Sequence, residues 1–155
     1  MTTALCPGSY DPTTSGHVDV IDRVVKAFDR VVVSVIDNPS KRAMFTAAER
    51  IDLLEEIHGD TIEVTSFGGL LVDHAREIGA DVVIKGLRTV DDYEYETQMA
   101  QMNRHLTGME TVFMPTSPEF SFISSSLVKE VAKLGGSMSG LVPEVVEKAL
   151  KERLS

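Results

Sequence analysis

A loop rich in glycine and proline carries the residues of this sequence that are best suited to chemistry. It runs from Cys6 to His17 (CPGSYDPTTSGH), and its two prolines and two glycines exclude regular structure until about Thr14. An apolar stripe at helical spacing begins at Val18, so Gly16 and His17 are predicted in the first turn of a helix. Unpaired amides and the positive end of the helix dipole favour phosphate there. The loop therefore predicts a phosphate-binding turn with His17 as a donor, although a plain strand-to-helix loop with an incidental histidine would share the pattern.

Basic side chains follow two other apolar segments. Lys41 and Arg42 come after the second segment, and Lys85 and Arg88 come after the fourth. These four cations are well placed to bind an anion, although a solvated surface position remains the better interpretation for Arg42. The acidic run Asp91–Glu96 is typical of a solvated helix start, where the dipole favours negative charge.

The elements that must position these residues follow from hydrophobic periodicity. Short β-branched segments alternate with helical patterns, and a capping-box pair, Thr46 and Glu49, marks the start of one helix. Helical stretches are also predicted at Gly69–Ile78, Ser126–Leu134 and Pro143–Leu154, and another has Tyr95, Met99, Met102 and Leu106 on one face. The predicted strands are Ala4–Cys6, Val31–Ile36, Ile62–Thr65, Val82–Ile84 and Val112–Met114.

This order of elements predicts a doubly wound α/β fold with a five-stranded parallel sheet and C-terminal helices. No long linker or repeat divides the chain, so one domain is expected over residues 1–155. In such folds ligands bind beyond the carboxyl ends of the strands, where the strand order reverses. The candidate residues all follow predicted strands, so we expect them to meet at that edge.

Composition and charge exclude several classes of protein. The chain has 155 residues, of which 43% are hydrophobic, and its net charge of −9 would repel nucleic acid and an anionic membrane. A single cysteine excludes an intrachain disulfide, and His58, His74 and His105 lack metal-ligand spacing, which favours surface or supporting roles for them. The first residues lack the basic and apolar regions of a signal peptide, and no apolar run could span a membrane, so a cytoplasmic protein is expected.

The motifs, taken together, resemble a known family. The segment G-S-Y-D-P-T-T-S-G-H, from Gly8 to His17, resembles the first signature of the nucleotidyltransferase superfamily, which has [HT]-x-G-H at this turn. With Thr14 in the first position, it is similar to the phosphopantetheine adenylyltransferase family. Four later segments resemble that family in the same order: N-P-S-K-R-A-M-F (38–45), K-G-L-R (85–88), D-D-Y-E-Y-E (91–96) and F-S-F-I-S-S-S (120–126).

Departures from the family pattern are small. Ser9 and Tyr10 replace a commoner Thr-Phe, and Phe120 stands where some members have Trp. Lys85 stands where some members have Arg, which keeps the charge but loses the bidentate fork. The strength of one phosphate contact is thereby affected.

The resemblance implies transfer of the adenylyl group of ATP to 4'-phosphopantetheine, giving dephospho-CoA and pyrophosphate. It implies Mg²⁺ bound with ATP, with few ligands from the protein and no dedicated metal site, a homohexamer, and feedback inhibition by CoA. The implied catalytic residues are His17, Lys41 and Arg88. The implied ATP-binding residues are Ser9, Tyr10, His17, Gly86, Leu87, Arg88, Glu96, Phe120, Ser121, Phe122, Ile123, Ser124, Ser125 and Ser126. The residues implied for the second substrate are Ser9, Lys41, Leu71 and Lys85.

The chemistry implied needs no general base. A phosphate monoester has a second pKa of about 6, so the attacking group is mostly dianionic at neutral pH. Two alternatives remain open at this point. One is nucleotidyl transfer to another phosphorylated acceptor, such as nicotinamide mononucleotide, glycerol phosphate or choline phosphate. The other is a nucleotide-binding sensor that performs no chemistry.

Overall fold

A computed structural model of the protein describes residues 1–155, and its strands and helices alternate as the sequence predicts. Short 3₁₀ turns occupy Gly59–Thr61 and Pro118–Phe120. The strands are β1 (Thr3–Gly8), β2 (Arg30–Ile36), β3 (Glu63–Phe67), β4 (Val82–Leu87) and β5 (Thr111–Pro115). The helices are α1 (Ser15–Ala27), α2 (Ala47–His58), α3 (Leu71–Glu77), α4 (Val90–Thr107), α5 (Ser125–Lys133) and α6 (Glu144–Leu154).

The five strands form one parallel sheet in the order β3-β2-β1-β4-β5. The chain winds outward from β1 to β3, then returns and adds β4 and β5 on the other side of β1. The predicted doubly wound α/β fold is therefore confirmed. The strand order reverses between β1 and β4, and in folds of this kind a crevice opens there at the carboxyl ends of the strands.

Both faces of the sheet are covered, which explains the nearly continuous apolar runs of the strands. Side chains alternate between faces, so Val33 and Val35 pack with Val24 of α1 and Leu54 of α2. On the opposite face, Val32 packs with residues of β1, α3 and β4. Helices on both faces thus hold the central strands rigidly beneath the crevice.

The two C-terminal helices build a third cluster with the segment that follows β2. Phe45 packs there with Ile123 and with Val128, Val146 and Leu150 of α5 and α6. Thr46 and Glu49 form the predicted capping box at the start of α2. As a result, the segment between β2 and α2 is anchored close to the first turn of α5.

Several local features differ from the sequence-based expectation. Strand β1 continues through Pro7 to Gly8 and pairs with β2 over that length. Proline has no backbone N–H to donate, but β4 pairs with β1 only as far as Leu5, so no hydrogen bond to β4 is lost at Pro7. His58 and His74 are buried in the interior. Among the residues of α4 only Asn103 is buried, so its apolar side chains face solvent. None of the helices has the length and hydropathy to cross a bilayer.

Candidate active site

The first turn of α1 is closed by a capping box that includes a histidine. The backbone N–H of His17 donates to Thr14 Oγ1 at 3.3 Å, and the N–H of Thr14 donates to His17 Nδ1 at 3.0 Å. Because Nδ1 accepts a hydrogen bond, the proton of the neutral ring lies on Nε2. The cap therefore leaves an Nε2–H donor available to a ligand.

The surroundings of His17 keep its ring neutral. Burial, followed by the positive charges of Arg88 and Lys85, lowers the pKa of His17 to about 4. The ring of Tyr10 packs edge-on at a centroid distance of 4.9 Å. Tyr10 itself is anchored by its hydroxyl, which donates to the carbonyl of Cys6 at 3.0 Å. His17 is thus a positioned, neutral hydrogen-bond donor at physiological pH.

A first cavity of about 330 Å³ opens between the carboxyl ends of β1 and β4, where the strand order reverses. Its walls come from the ends of both strands, from the first turns of α1 and α5, and from α4. Ten of the residues singled out from the sequence line it: Tyr10, His17, Lys85, Gly86, Arg88, Glu96, Ile123, Ser124, Ser125 and Ser126.

The two cations of the first cavity are paired with acids one turn apart on α4. Lys85 Nζ lies 3.4 Å from Glu96 Oε1, and Arg88 Nε lies 3.5 Å from Asp92 Oδ2. The backbone N–H of Arg88 also donates to Asp92 Oδ2 at 3.0 Å. Partly exposed pairs of this length are weak, so a phosphate group can compete for the cations.

A second cavity of about 320 Å³ holds the remaining cationic candidates. Ser9 and Lys41 line this cavity and do not line the first one. Ser125 and Ser126 border both, so the two cavities adjoin at the first turn of α5. The second cavity is lined by a single carboxylate, that of Asp11, and by four basic side chains: Lys41, Arg42, Arg50 and Lys129. This excess of positive charge suits an anionic ligand.

Some predicted residues border neither cavity. Leu71 opens α3 and packs against the cluster around Val32, and Phe122 is exposed. Phe120 lies beside Gly16, and Leu87 ends β4. Ser121 donates its hydroxyl to the carbonyl of Pro118.

Sequence reasoning missed three residues around the cavities: Asp11, Arg50 and Lys129. Asp92, which was expected at a solvated helix start, lines the first cavity and pairs with Arg88. Nothing in the sequence separates Arg50 or Lys129 from an ordinary surface residue of a helix. Asp11 lies inside the first signature, in the loop with two prolines and two glycines, and this position could have identified it as a residue that contributes to the site.

The site offers cations, hydroxyls and amides and no enzyme-borne nucleophile. Burial raises the pKa of the Cys6 thiol to about 12, so its thiolate is not formed at neutral pH. The Nδ1 of His17 is committed to the backbone, which leaves it no role as a base toward a serine. No cluster of three or more His, Cys, Asp or Glu side chains is arranged to hold a metal. The arrangement is suited to binding phosphate groups and neutralising their charge.

Comparison with known proteins agrees with this chemistry. In structure, the chain is similar to a candidate nicotinate-nucleotide adenylyltransferase from Vibrio parahaemolyticus, with a TM-score of 0.69 and 18% identity over 97% of this chain and 99% of that chain. It is also similar to a lipopolysaccharide core biosynthesis protein from Thermoplasma volcanium GSS1, with a TM-score of 0.56 and 21% identity over 76% and 97% of the chains. At such identities the likeness concerns the fold alone. Residues 5–131, which include both cavities' main walls, match the cytidylyltransferase-like family model. The chain therefore belongs to the cytidylyltransferase-like family and is an enzyme of the nucleotidyltransferase type.

Proposed function

We propose that the protein transfers the adenylyl group of ATP to 4'-phosphopantetheine, giving dephospho-CoA and pyrophosphate as a step of coenzyme A biosynthesis in the cytoplasm. The observation that carries the proposal is the pair of adjoining cavities, each with basic side chains in its wall, which share the first turn of α5. Two anionic cosubstrates that must meet at one phosphorus atom need such an arrangement. The order of the five sequence motifs supports the identity of the two substrates.

ATP occupies the first cavity in this proposal. Glu96 holds the ribose, while Arg88 and the amides and hydroxyls of Ser124–Ser126 hold the β- and γ-phosphates. His17 then directs its Nε2–H at an oxygen of the α-phosphate. The ion pairs of Arg88 and Glu96 with their present partners are exchanged for contacts with the nucleotide. Tyr10, Gly86 and Ile123 complete the wall, and Ser9, Leu87, Phe120, Ser121 and Phe122 flank the bound nucleotide.

The acceptor phosphate lies between the two cavities. Ser9 and Lys41 approach it from the second cavity, and Lys85 approaches it from the first. The backbone of Leu71 borders the pantetheine arm outside both cavities. The acceptor and the α-phosphate are then held by cations on both sides.

The reaction in this arrangement is a single in-line displacement. An oxygen of the acceptor phosphate forms a bond to the α-phosphorus, and the bond from that phosphorus to the bridging oxygen of pyrophosphate breaks. The acceptor is already a dianion, so no proton has to be removed. His17 and Lys41 stabilise the charge that develops on the α-phosphoryl oxygens, and Arg88 stabilises the leaving pyrophosphate.

Mg²⁺ would be bound together with ATP and would neutralise part of the triphosphate charge. No three His, Cys, Asp or Glu side chains are arranged to hold a metal, which favours triphosphate oxygens and water as most of the ligands of the ion. The proposed homohexamer is supported by the exposed apolar side chains of α4, among them Tyr95, Met99 and Met102. CoA contains parts of both cosubstrates and is proposed to inhibit by occupying their site.

Pyrophosphate release tests the proposal directly. The protein is incubated with ATP and Mg²⁺, with and without 4'-phosphopantetheine, and we expect pyrophosphate only when the acceptor is present. A sensor without activity releases none with any acceptor. Nicotinate mononucleotide is tested as a second acceptor, because the Vibrio parahaemolyticus protein of similar fold is described as a candidate nicotinate-nucleotide adenylyltransferase. Release with that acceptor alone would replace the proposed substrate.

A further inference from the structure

A buried carboxylate in the first signature holds two other segments of the site. Asp11 is 6% exposed. Its Oδ1 accepts the backbone N–H of Phe45 at 2.9 Å, and its Oδ2 accepts the N–H of Met44 at 2.9 Å. Lys129 Nζ of α5 donates to the same Oδ2 at 3.1 Å. One side chain thus connects the turn after β1 with the segment after β2 and with α5.

A buried arginine, Arg50, also binds the segment after β2. Arg50 is 4% exposed, and its Nε donates to the carbonyl of Phe45 at 3.1 Å. Its Nη1 donates to the carbonyls of Ser9 at 2.8 Å and Ile36 at 3.1 Å. The backbone N–H of Phe45 is therefore bound by the buried carboxylate of Asp11, and its carbonyl by the buried guanidinium of Arg50. Phe45 lies four residues after Lys41.

The energetics of these contacts limit how the segment can move. A buried carboxylate that loses its donors pays a large desolvation cost, so Asp11 resists any shift of Met44 and Phe45 away from it. Lys41 is exposed and has no ion-pair partner, so only its backbone attachment determines where its amine can reach. The carboxylate of Asp11 fixes that attachment relative to Ser9 and His17.

We propose that Asp11 is a positioning residue, which holds the segment bearing Lys41 in register with the turn bearing Ser9 and His17. The inference rests on the proposed adenylyl transfer and assigns Asp11 no contact with substrate. A displacement of about 1 Å at a reacting group can cost about 10²-fold in rate. Loss of the carboxylate is therefore expected to reduce kcat by about that factor.

Asp11→Asn tests this role, with Asp81→Asn as the matched control. Asn keeps the size of the side chain, but its NH₂ group must face one of the two backbone donors or Lys129. Asp81 also accepts a backbone N–H, that of Thr3 at 2.7 Å, but at the opposite end of the sheet. We expect kcat of the Asp11 variant to fall about 10²-fold and that of the control to change less than twofold. Equal kcat in the Asp11 variant and the wild type would overturn the proposal.

A double-mutant cycle separates positioning from a merely structural role. If Asp11 acts through Lys41, then Asp11→Asn should lower kcat less than threefold in a Lys41→Met background. A full 10²-fold loss in both backgrounds would show that Asp11 acts elsewhere and would refute the inference. Should Asp11→Asn not fold, Asp11→Glu keeps the charge, displaces the segment, and enters the same cycle with the same expectation.

Wild-type activity distinguishes this inference from the proposed function. If the wild type releases pyrophosphate but the kcat losses of the two single variants multiply in the double variant, only the role of Asp11 is overturned. Absence of release by the wild type overturns the proposed function, and the cycle is then measured in the Kd for inorganic phosphate, the simplest anion for the second cavity that Lys41 lines. Non-additive losses of phosphate affinity still support the positioning role, and additive losses refute it.

Discussion

Replacing His17 by two different residues separates its role in the helix cap from its proposed role as a donor to the α-phosphate. Its Nδ1 accepts the N–H of Thr14 as part of the helix cap, and its Nε2–H is the donor that we propose for the α-phosphate. His17→Ala removes both functions. His17→Gln removes the imidazole but keeps an acceptor at the third helical position, where Gln is a normal capping-box residue.

The two effects differ in the quantity they change and in their expected size. A donor aimed at charge that develops in the transition state contributes about 2.7–4 kcal/mol, so both variants should lose roughly 10²–10³-fold in kcat. His17→Ala also leaves the N–H of Thr14 without its partner, which costs about 1 kcal/mol of unfolding free energy. His17→Gln should lower the unfolding free energy by at most a few tenths of that amount, because its side-chain oxygen can accept the N–H of Thr14 in place of Nδ1.

Three measurements check these values: kcat by pyrophosphate release, the Kd of ATP by calorimetry, and the unfolding free energy by urea titration. We expect a large loss of kcat in both variants with a small change in Kd. Equal losses in kcat and in ATP affinity would reduce His17 to a binding residue. Wild-type kcat in His17→Ala would show that the Nε2–H is not needed, and the reasoning about Nε2 would be wrong. Wild-type kcat in His17→Gln alone would show that the amide NH₂ group replaces the Nε2–H as the donor.

Three further results are expected. Lys41→Ala should weaken acceptor binding as well as kcat, measured by the KM for 4'-phosphopantetheine, and unchanged values would refute a role in holding two phosphates. Leu54→Ala should lower the urea unfolding free energy by about 2–5 kcal/mol, because Leu54 is fully buried in the core. Burial lowers the pKa values of His17, His58 and His74, so the unfolded chain binds more protons and stability should fall as pH drops below about 6.5. His17 alone should contribute roughly 1–2 kcal/mol to that loss at pH 5, and equal unfolding free energies at pH 7.5 and pH 5 would contradict the expectation.

Much of the fold could be predicted because strand and helix signals in this chain are local. The run VVVSVI of β2 is apolar on both faces, which predicted a parallel strand covered on both sides. The capping box of Thr46 and Glu49 predicted the start of α2. The motif residues were also predicted at the ends of strands, where ten of them line one cavity. The cap between Thr14 and His17 was missed because histidine seldom takes the place of Glu or Gln in that motif.

The sequence by itself determined the order of strands and helices, the charge of the chain, and the residue types available to bind phosphate. These properties are written in neighbouring residues and in short periodic patterns. Only the tertiary structure decided that Lys41 and His17 line different cavities, and that Asp11 and Arg50 hold the segment between β2 and α2. Those contacts join residues far apart along the chain, and whether a charged side chain is buried depends on what packs over it.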